Sequence, residues 1–503
     1  MTRISRRTLL TAAAGAAALP AVAGAQAPAE QSGKLNLIHI GIDTWGTHWI
    51  NAYGAHQAHT PHADALLARS AMFTQAYPEV LPTIPCRRAV YTGRRIFPSH
   101  LIKQPDDPVR IRGWHQLYTE DVTISETLQQ SGYVTAIVSD LYHEFKPDKN
   151  FHRGFDSWRW IRGQESDRLE SGPRNAVNMA DYMHPSHTRA TRRGGARGAR
   201  GDASHKVSGP LQYLLNRREW KTEDDWLAAQ VFDQASRWLD NNAAGNQPFY
   251  LHIESFSPHE YWDPPDDYYR LYMKSNYHGP RLISPPQTTA EMTPVEVEHV
   301  RALYGGLASF VDARMGKFLQ KVESLGLMRN TIISFTADHG TMMGEQGQIH
   351  KGETRIRDQV THVPLAVYHP RRQWEGRRIG GYVQHIDLMP TLLELLDVPA
   401  PQRVTGQSLV PLIEARRDSG RDHTITGWGE HASIRTPEWN YIGRWSPGPP
   451  FEQLYDLRKD PLEMKDVAEA NPSVVKNFRA QLKEHVDRGW AITNGTFATV
   501  LKE

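Results

Sequence analysis

Three apolar, β-rich runs in this chain each stop at residues that can do chemistry, and that pattern limits the fold more than any other feature. Residues 34–42 (K-L-N-L-I-H-I-G-I) stop at Asp43. Residues 248–254 (P-F-Y-L-H-I-E) deliver Ser257-Pro258-His259-Glu260, and residues 331–336 (T-I-I-S-F-T) end in Ala337-Asp338-His339-Gly340. Apolar runs of this length read as strands buried on both faces, and α/β folds build their sites at the carboxyl ends of such strands. Helical patterns lie between them, at 61–70 behind a Thr60-Pro61 cap, 125–131, 223–241 and 295–325, with further strands at 133–138 and 363–367. A chain of 503 residues is long enough for one large α/β domain and a smaller second one.

Residues 81–95 (L-P-T-I-P-C-R-R-A-V-Y-T-G-R-R) carry the second constraint. A turn punctuated by Pro82 and Pro85 runs into residues 87–91, which can propagate a helix. Thr83 therefore sits just before a helix N-terminus, where unpaired N–H groups and the macrodipole favour an anion. Arg87 adds a planar cation that can grip a tetrahedral oxyanion. Hydroxyl, anion cradle and arginine together describe a nucleophile for sulfuryl or phosphoryl transfer. Asp338 and His339, adjacent at a strand end, offer two ligands to one metal, with Gly340 allowing a sharp turn.

The 81–95 stretch resembles the signature of sulfatases in the alkaline phosphatase superfamily, C/S-x-P-x-R followed by x-T-G, on Pro85, Arg87, Thr92 and Gly93. The match puts Thr83 where sulfatases carry the Cys or Ser that becomes formylglycine. Cys86 falls three residues late and has no proline or arginine at the required offsets. Threonine cannot become formylglycine, so the chain looks like a sulfatase-like branch with an unmodified threonine nucleophile. Threonine is the nucleophile in other groups of the superfamily, nucleotide pyrophosphatases among them. Asp43-Thr44 with Tyr53-Gly54 is similar to the family opening D-T-x-R…Y-G, departing from it at Gly46 and His48; Thr44 replaces the second aspartate of the common D-D pair.

The resemblance implies an alkaline-phosphatase-like α/β/α sandwich with a large mixed central sheet, a catalytic domain over 34–400 and a smaller C-terminal α+β subdomain over 401–503. It implies metal ligation by Asp43, Thr83, Asp338 and His339 around a divalent ion (Ca, Mg, Mn or Zn). It places Arg87 and Lys351 on the transferring anion and His259 beside the leaving group as proton donor. Where family members carry G-K-W-H, this chain reads Asp140-Leu141-Tyr142-His143. An acid stands for a cation there, so Asp140 and His143 either hold a substrate hydroxyl, an amine or a second cation, or form a surface loop pair. Residues 385–396 are similar to the helix that closes the large domain, and 456–461 (D-L-R-K-D-P) to the C-terminal L-Y-D-L-x-x-D-P-x-E. The implied reaction is hydrolysis of a phosphate or sulfate ester of a small molecule or glycan. A threonine ester lacks the exit of a formylglycine hydrate and needs a second attack at the central atom, which leans the reading towards phosphorus. An inactive anion-binding homologue is the alternative of another class.

The remaining features concern partners and location. Ser5-Arg6-Arg7-Thr8-Leu9-Leu10, an alanine-rich apolar run to Val22 and Ala23-Gly24-Ala25 resemble a twin-arginine signal peptide over 1–27. The expected partner is the twin-arginine export machinery and the expected location periplasmic or secreted. The run is shorter than the roughly 20 apolar residues that span a bilayer, so no stable membrane insertion is expected. With 58 basic and 56 acidic residues the net charge is +2, which gives no electrostatic basis for nucleic-acid binding. One cysteine excludes an intrachain disulfide framework. Residues 150–164 are rich in aromatics and arginine and either wall a substrate pocket or pack; the Gly/Arg-rich 189–206 stretch reads as a surface loop.

Overall fold

The computed structural model describes residues 33–56, 58–102, 109–173, 175–186, 209–416 and 420–500, with side chains described as far as 490. The signal-like segment 1–27 and the 189–206 stretch lie outside the described residues. An eight-stranded sheet forms the centre. Its order is Arg378–Ile379, Ala71–Phe73, Leu365–Tyr368, Thr331–Ala337, Asn36–Ile42, Phe249–Ser255, Val134–Ser139 and Ser157–Trp160. Asn36–Ile42 pairs in parallel with both Phe249–Ser255 and Thr331–Ala337. Leu365–Tyr368 runs antiparallel to its two neighbours, so the sheet is mixed. The three apolar runs of the sequence are thus adjacent strands, and their chemically active ends meet.

Alternation along the central strand divides the core into two layers. Ile38, Ile40 and Ile42 pack with Leu227, Phe232, Leu303 and Phe310, which come from the helices Leu227–Asn242 and Pro294–Ser324. Leu37 belongs to the other layer, with Ile84, Tyr91, Leu388 and Leu392 from the helices Thr83–Thr92 and Leu388–Leu395. The 31-residue helix Pro294–Ser324 starts on a complete capping box between Thr293 and Glu296, with proline at its first turn.

A five-stranded sheet carries the C-terminal part: Glu452–Asp456, Trp439–Arg444, His431–Arg435, Thr424–Trp428 and Val80–Leu81. The first four form a meander. The fifth comes from far upstream and pairs in parallel with Thr424–Trp428. Val80–Leu81 leads directly into Pro82-Thr83, so the C-terminal sheet anchors the turn that begins the Thr83 helix. The last helix, Pro472–Val500, buries Val475, Phe478 and Leu482 against that sheet.

Candidate active site

The site is assembled at the carboxyl ends of the central strands. Thr83 is the first residue of its helix, with Pro82 as N-cap, and is buried. Arg87 lies one turn on and shares a helix face with it. Cys86 points elsewhere, its sulfur 3.2 Å from His385 Nδ1. Asp43, Asp338 and His339 form a buried group whose ligand atoms all lie within 4.8 Å of one another.

Local backbone geometry holds this group. Thr44 adopts φ 61, a left-handed conformation that is unusual for a β-branched residue and is tolerated where the surroundings enforce it. Its N–H donates to Asp338 Oδ1 at 3.0 Å and its hydroxyl to Asp43 Oδ1 at 2.6 Å. Tyr304 OH donates to the Thr44 carbonyl at 2.6 Å. The residue replacing a family aspartate therefore orients the remaining carboxylates. Gly340 is required by close approach, not by a left-handed turn: a Cβ there would stand 2.3 Å from the Gln359 carbonyl oxygen. His339 Nδ1 donates to the Gly340 carbonyl at 3.0 Å, which turns the Nε2 lone pair towards Asp338, 3.3 Å away. Burial, then the Lys351 ammonium, hold the His339 imidazole well below its usual pKa, in the neutral form that ligates metal.

Arg87 departs from its expected role on the anion. Its guanidinium pairs with Asp338, with Glu254 and, at 3.3 Å, with Asp43. Glu254 was not foreseen as a site residue; a glutamate closing an apolar strand was the available signal. Burial would raise its carboxyl, but Arg87 and His252 outweigh burial and hold it at about 2. Behind it, His252 Nε2 lies 2.9 Å from Glu254 Oε2 and Nδ1 2.8 Å from Tyr250 OH. Gly41, opposite Glu254 on the neighbouring strand, leaves room for it: a Cβ there would stand 2.6 Å from Glu254 Oε2. Burial and the Glu254 charge push the neighbouring Glu144 carboxyl up to about 8.

Three carboxylates and one guanidinium leave two net negative charges in a buried region, and Asp43 Oδ2 and His339 Nε2 are buried there with no hydrogen-bond partner. A buried charge of this size needs a counterion. Carboxylate oxygen and imidazole nitrogen suit a divalent cation, so the residues present fit one.

A second layer of polar groups rims the site. Glu260 lies 3.1 Å from His259 Nδ1, 2.8 Å from His350 Nδ1 and 3.7 Å from Lys351 Nζ. Lys351 Nζ is buried without a hydrogen bond. His259 Nδ1 also lies 2.9 Å from the Glu260 carbonyl oxygen, which leaves Nε2 as the free end of the ring. His143 Nε2 lies 2.9 Å from Glu165, whose other oxygen is 3.9 Å from His259. Asp140 faces inward instead of lining the site: it accepts from the Phe256 N–H at 2.6 Å and from Gln164 Nε2 at 3.1 Å. Burial raises its carboxyl to about 7. Within the 150–164 stretch Phe151 and Phe155 are core and Gln164 is buried on Asp140, while Glu165, just after it, lies 3.9 Å from His259.

The sulfatase family profile matches residues 35–398, and one described as N-sulphoglucosamine sulphohydrolase, C-terminal, matches residues 344–489. Arylsulfatase K of Gallus gallus is 25% identical over 93% of this chain and 85% of its own length. The stretch shared with the Xenopus laevis and Bos taurus counterparts spans 56% and 54% of those proteins. Among solved structures, the phosphonate monoester hydrolase of Agrobacterium radiobacter superposes with a TM-score of 0.67 at 20% identity, covering 89% of this chain and 95% of that one. A protein solved in complex with its substrate D-glucosamine-2-N,6-O-disulfate gives 0.66 at 18% identity, covering 92% and 98%. The mixed-sheet architecture, the strand-end constellation and the profile match over most of the chain agree: the chain belongs to the sulfatase family of ester hydrolases.

Proposed function

We propose that this protein is an exported, metal-dependent hydrolase that cleaves a phosphorus ester through a covalent Thr83 intermediate. The observation that carries the reading is the placement of Thr83 at a helix N-terminus, on the face of Arg87, whose guanidinium joins Asp43 and Asp338. Asp43, Asp338 and His339, with the Thr83 oxygen, would hold the divalent ion. Bound there, it supplies Lewis acidity and lowers the pKa of an oxygen nucleophile.

The chain's own residues account for the remaining steps. The Thr83 hydroxyl releases its proton to solvent, its Oγ forms a bond to phosphorus, and the bond from phosphorus to the leaving oxygen breaks. His259 Nε2 gives that oxygen a proton. Water then attacks phosphorus, His259 takes a proton from it, and the Thr83 oxygen departs and is reprotonated from solvent. Lys351 and the helix N-terminus neutralise the equatorial oxygens, while Arg87 keeps the ligand carboxylates aligned. Phosphorus is favoured because a threonine ester requires this second displacement at the central atom. The aryl-sulfatase names of the relatives support sulfate as the second reading. The substrate is a small-molecule or glycan ester, and the 1–27 segment supports export. Among the described residues no helix is long and apolar enough to cross a membrane.

Intact-mass measurement on metal-loaded protein quenched early with aryl phosphate, aryl phosphodiester and aryl sulfate tests this directly. A phosphoryl adduct absent from Thr83→Ala is the expected result. A sulfuryl adduct would move the substrate to sulfur while keeping the nucleophile. No adduct and no product from any ester would identify a non-catalytic anion binder.

A further inference from the structure

A second group of potential ligands lies outside the reaction centre. His48, in the short 3-10 helix Thr47–Trp49 after the Asp43 strand, Asp358 and His362 bring one atom each within 4.8 Å of one another. His48 Nε2 is 2.9 Å and His362 Nδ1 3.4 Å from the same oxygen, Asp358 Oδ2. His362 Nε2 lies 2.9 Å from the Thr74 carbonyl. A carbonyl only accepts, so Nε2 carries a proton there and Nδ1 is the ring atom turned on the carboxylate. A metal ion between the two atoms, or a second proton on the ring, makes that contact favourable. The surroundings fix two of the three donors, Asp358 and His362, in the way supporting hydrogen bonds orient metal ligands. Asp358 Oδ1 accepts from Tyr77 OH at 3.2 Å and pairs with Arg435 at 2.8 Å, leaving Oδ2 for the two imidazoles. Tyr77 stacks on the His362 ring. Arg435 is itself neutralised by Glu463.

We propose that His48, Asp358 and His362 form a second metal site, separate from the Asp43 group and selective for a borderline transition ion such as zinc. Two imidazoles and one carboxylate are the donor set zinc accepts. With bonds of about 2.0–2.2 Å, ligands of a tetrahedral ion stand roughly 3.3–3.6 Å apart; the His362 contact at 3.4 Å has that spacing, and the part-exposed His48, at 2.9 Å, moves outward to admit the ion. His48 is about one-third exposed, its side chain at 35%, so the fourth position opens to water. The ion ties three segments together: the short helix that follows ligand Asp43, the Asp358–Thr361 helix and, through Arg435, the C-terminal sheet.

The test is zinc stoichiometry by elemental analysis on the full chain after chelation and zinc dialysis. Wild type is expected to hold two equivalents, and His48→Gln, at a partly exposed position, one. Asp43→Asn combined with Asp338→Asn is expected to retain one equivalent, lost again on adding His48→Gln. Cobalt in that double variant is expected to show the visible absorption of a four-coordinate ion with imidazole ligands. Unchanged zinc content in His48→Gln, or a residual equivalent that survives His48→Gln in the double variant, would overturn the site and leave a proton-bridged triad.

Discussion

Replacing Arg87 by glutamine tests the electrostatic account of the centre without removing a proposed ligand. Arg87 is buried among Asp43, Glu254 and Asp338, so the variant leaves three buried carboxylates without their guanidinium. Breaking a buried charge pair on one side costs about 3–5 kcal/mol. Unfolding entropy of about 2.1 cal/mol/K per residue, over the roughly 470 residues of the Lys34–Glu503 unit, comes to ~1 kcal/mol/K. The melting midpoint in chelator should therefore fall by about 3–5 °C. A divalent cation supplies positive charge to the same carboxylates, so the gap to wild type should narrow as calcium, magnesium, manganese or zinc is titrated in. Arg479→Gln is the control: its pair with Glu452 is on the surface, where such pairs contribute ~0–1 kcal/mol. The measurement is scanning fluorimetry across a metal series. Equal midpoints for Arg87→Gln and wild type in chelator, or a gap that no metal changes, would refute the reasoning.

Other expectations follow from individual side chains. Thr83→Ala should lower turnover by at least ~10³-fold while Thr83→Ser keeps measurable activity, as steady-state kinetics on aryl esters will show. Lys351→Met should cost about 10²–10³ in kcat and lower the melting midpoint only slightly, because Glu260 loses the ammonium at 3.7 Å but keeps His259 and His350. Asp312 accepts the N–H groups of His62 and Ala63, and burial raises its carboxyl to about 7. The folded state keeps a proton that the unfolded chain releases near pH 4, so this group's contribution to stability falls as pH rises from about 4 to 7. Asp312→Asn should match wild type near pH 4 and exceed it above pH 7 in denaturant midpoints; parallel profiles would count against it.

Much of the site is legible in one dimension because strand ends are. A buried strand announces itself as an apolar run, and the residue that breaks the run marks where a sheet meets solvent or substrate. Asp43, His259 and the Asp338-His339 pair all follow from that rule. Thr83 follows from proline punctuation before a helix. What the sequence could not supply is direction. Asp140 ends a strand as Asp43 does, yet its oxygens are taken by the Phe256 N–H and Gln164, a pairing across 116 residues for the first of these. Arg87 reads as an anion grip until the fold surrounds it with three carboxylates. Glu254 is hidden because period and hydropathy describe its strand, while its role depends on Gly41 opposite and His252 behind it. The His48, Asp358 and His362 group has only half a local signature: Asp358 and His362 stand four residues apart, but His48 lies 310 residues from Asp358 and joins them only through tertiary packing. The sequence by itself determined the layers, the strand ends and the chemistry available there, because those depend on local burial and periodicity. Which charges face each other was decided only in the tertiary structure, because a side chain's partner is set by long-range packing that no local pattern encodes.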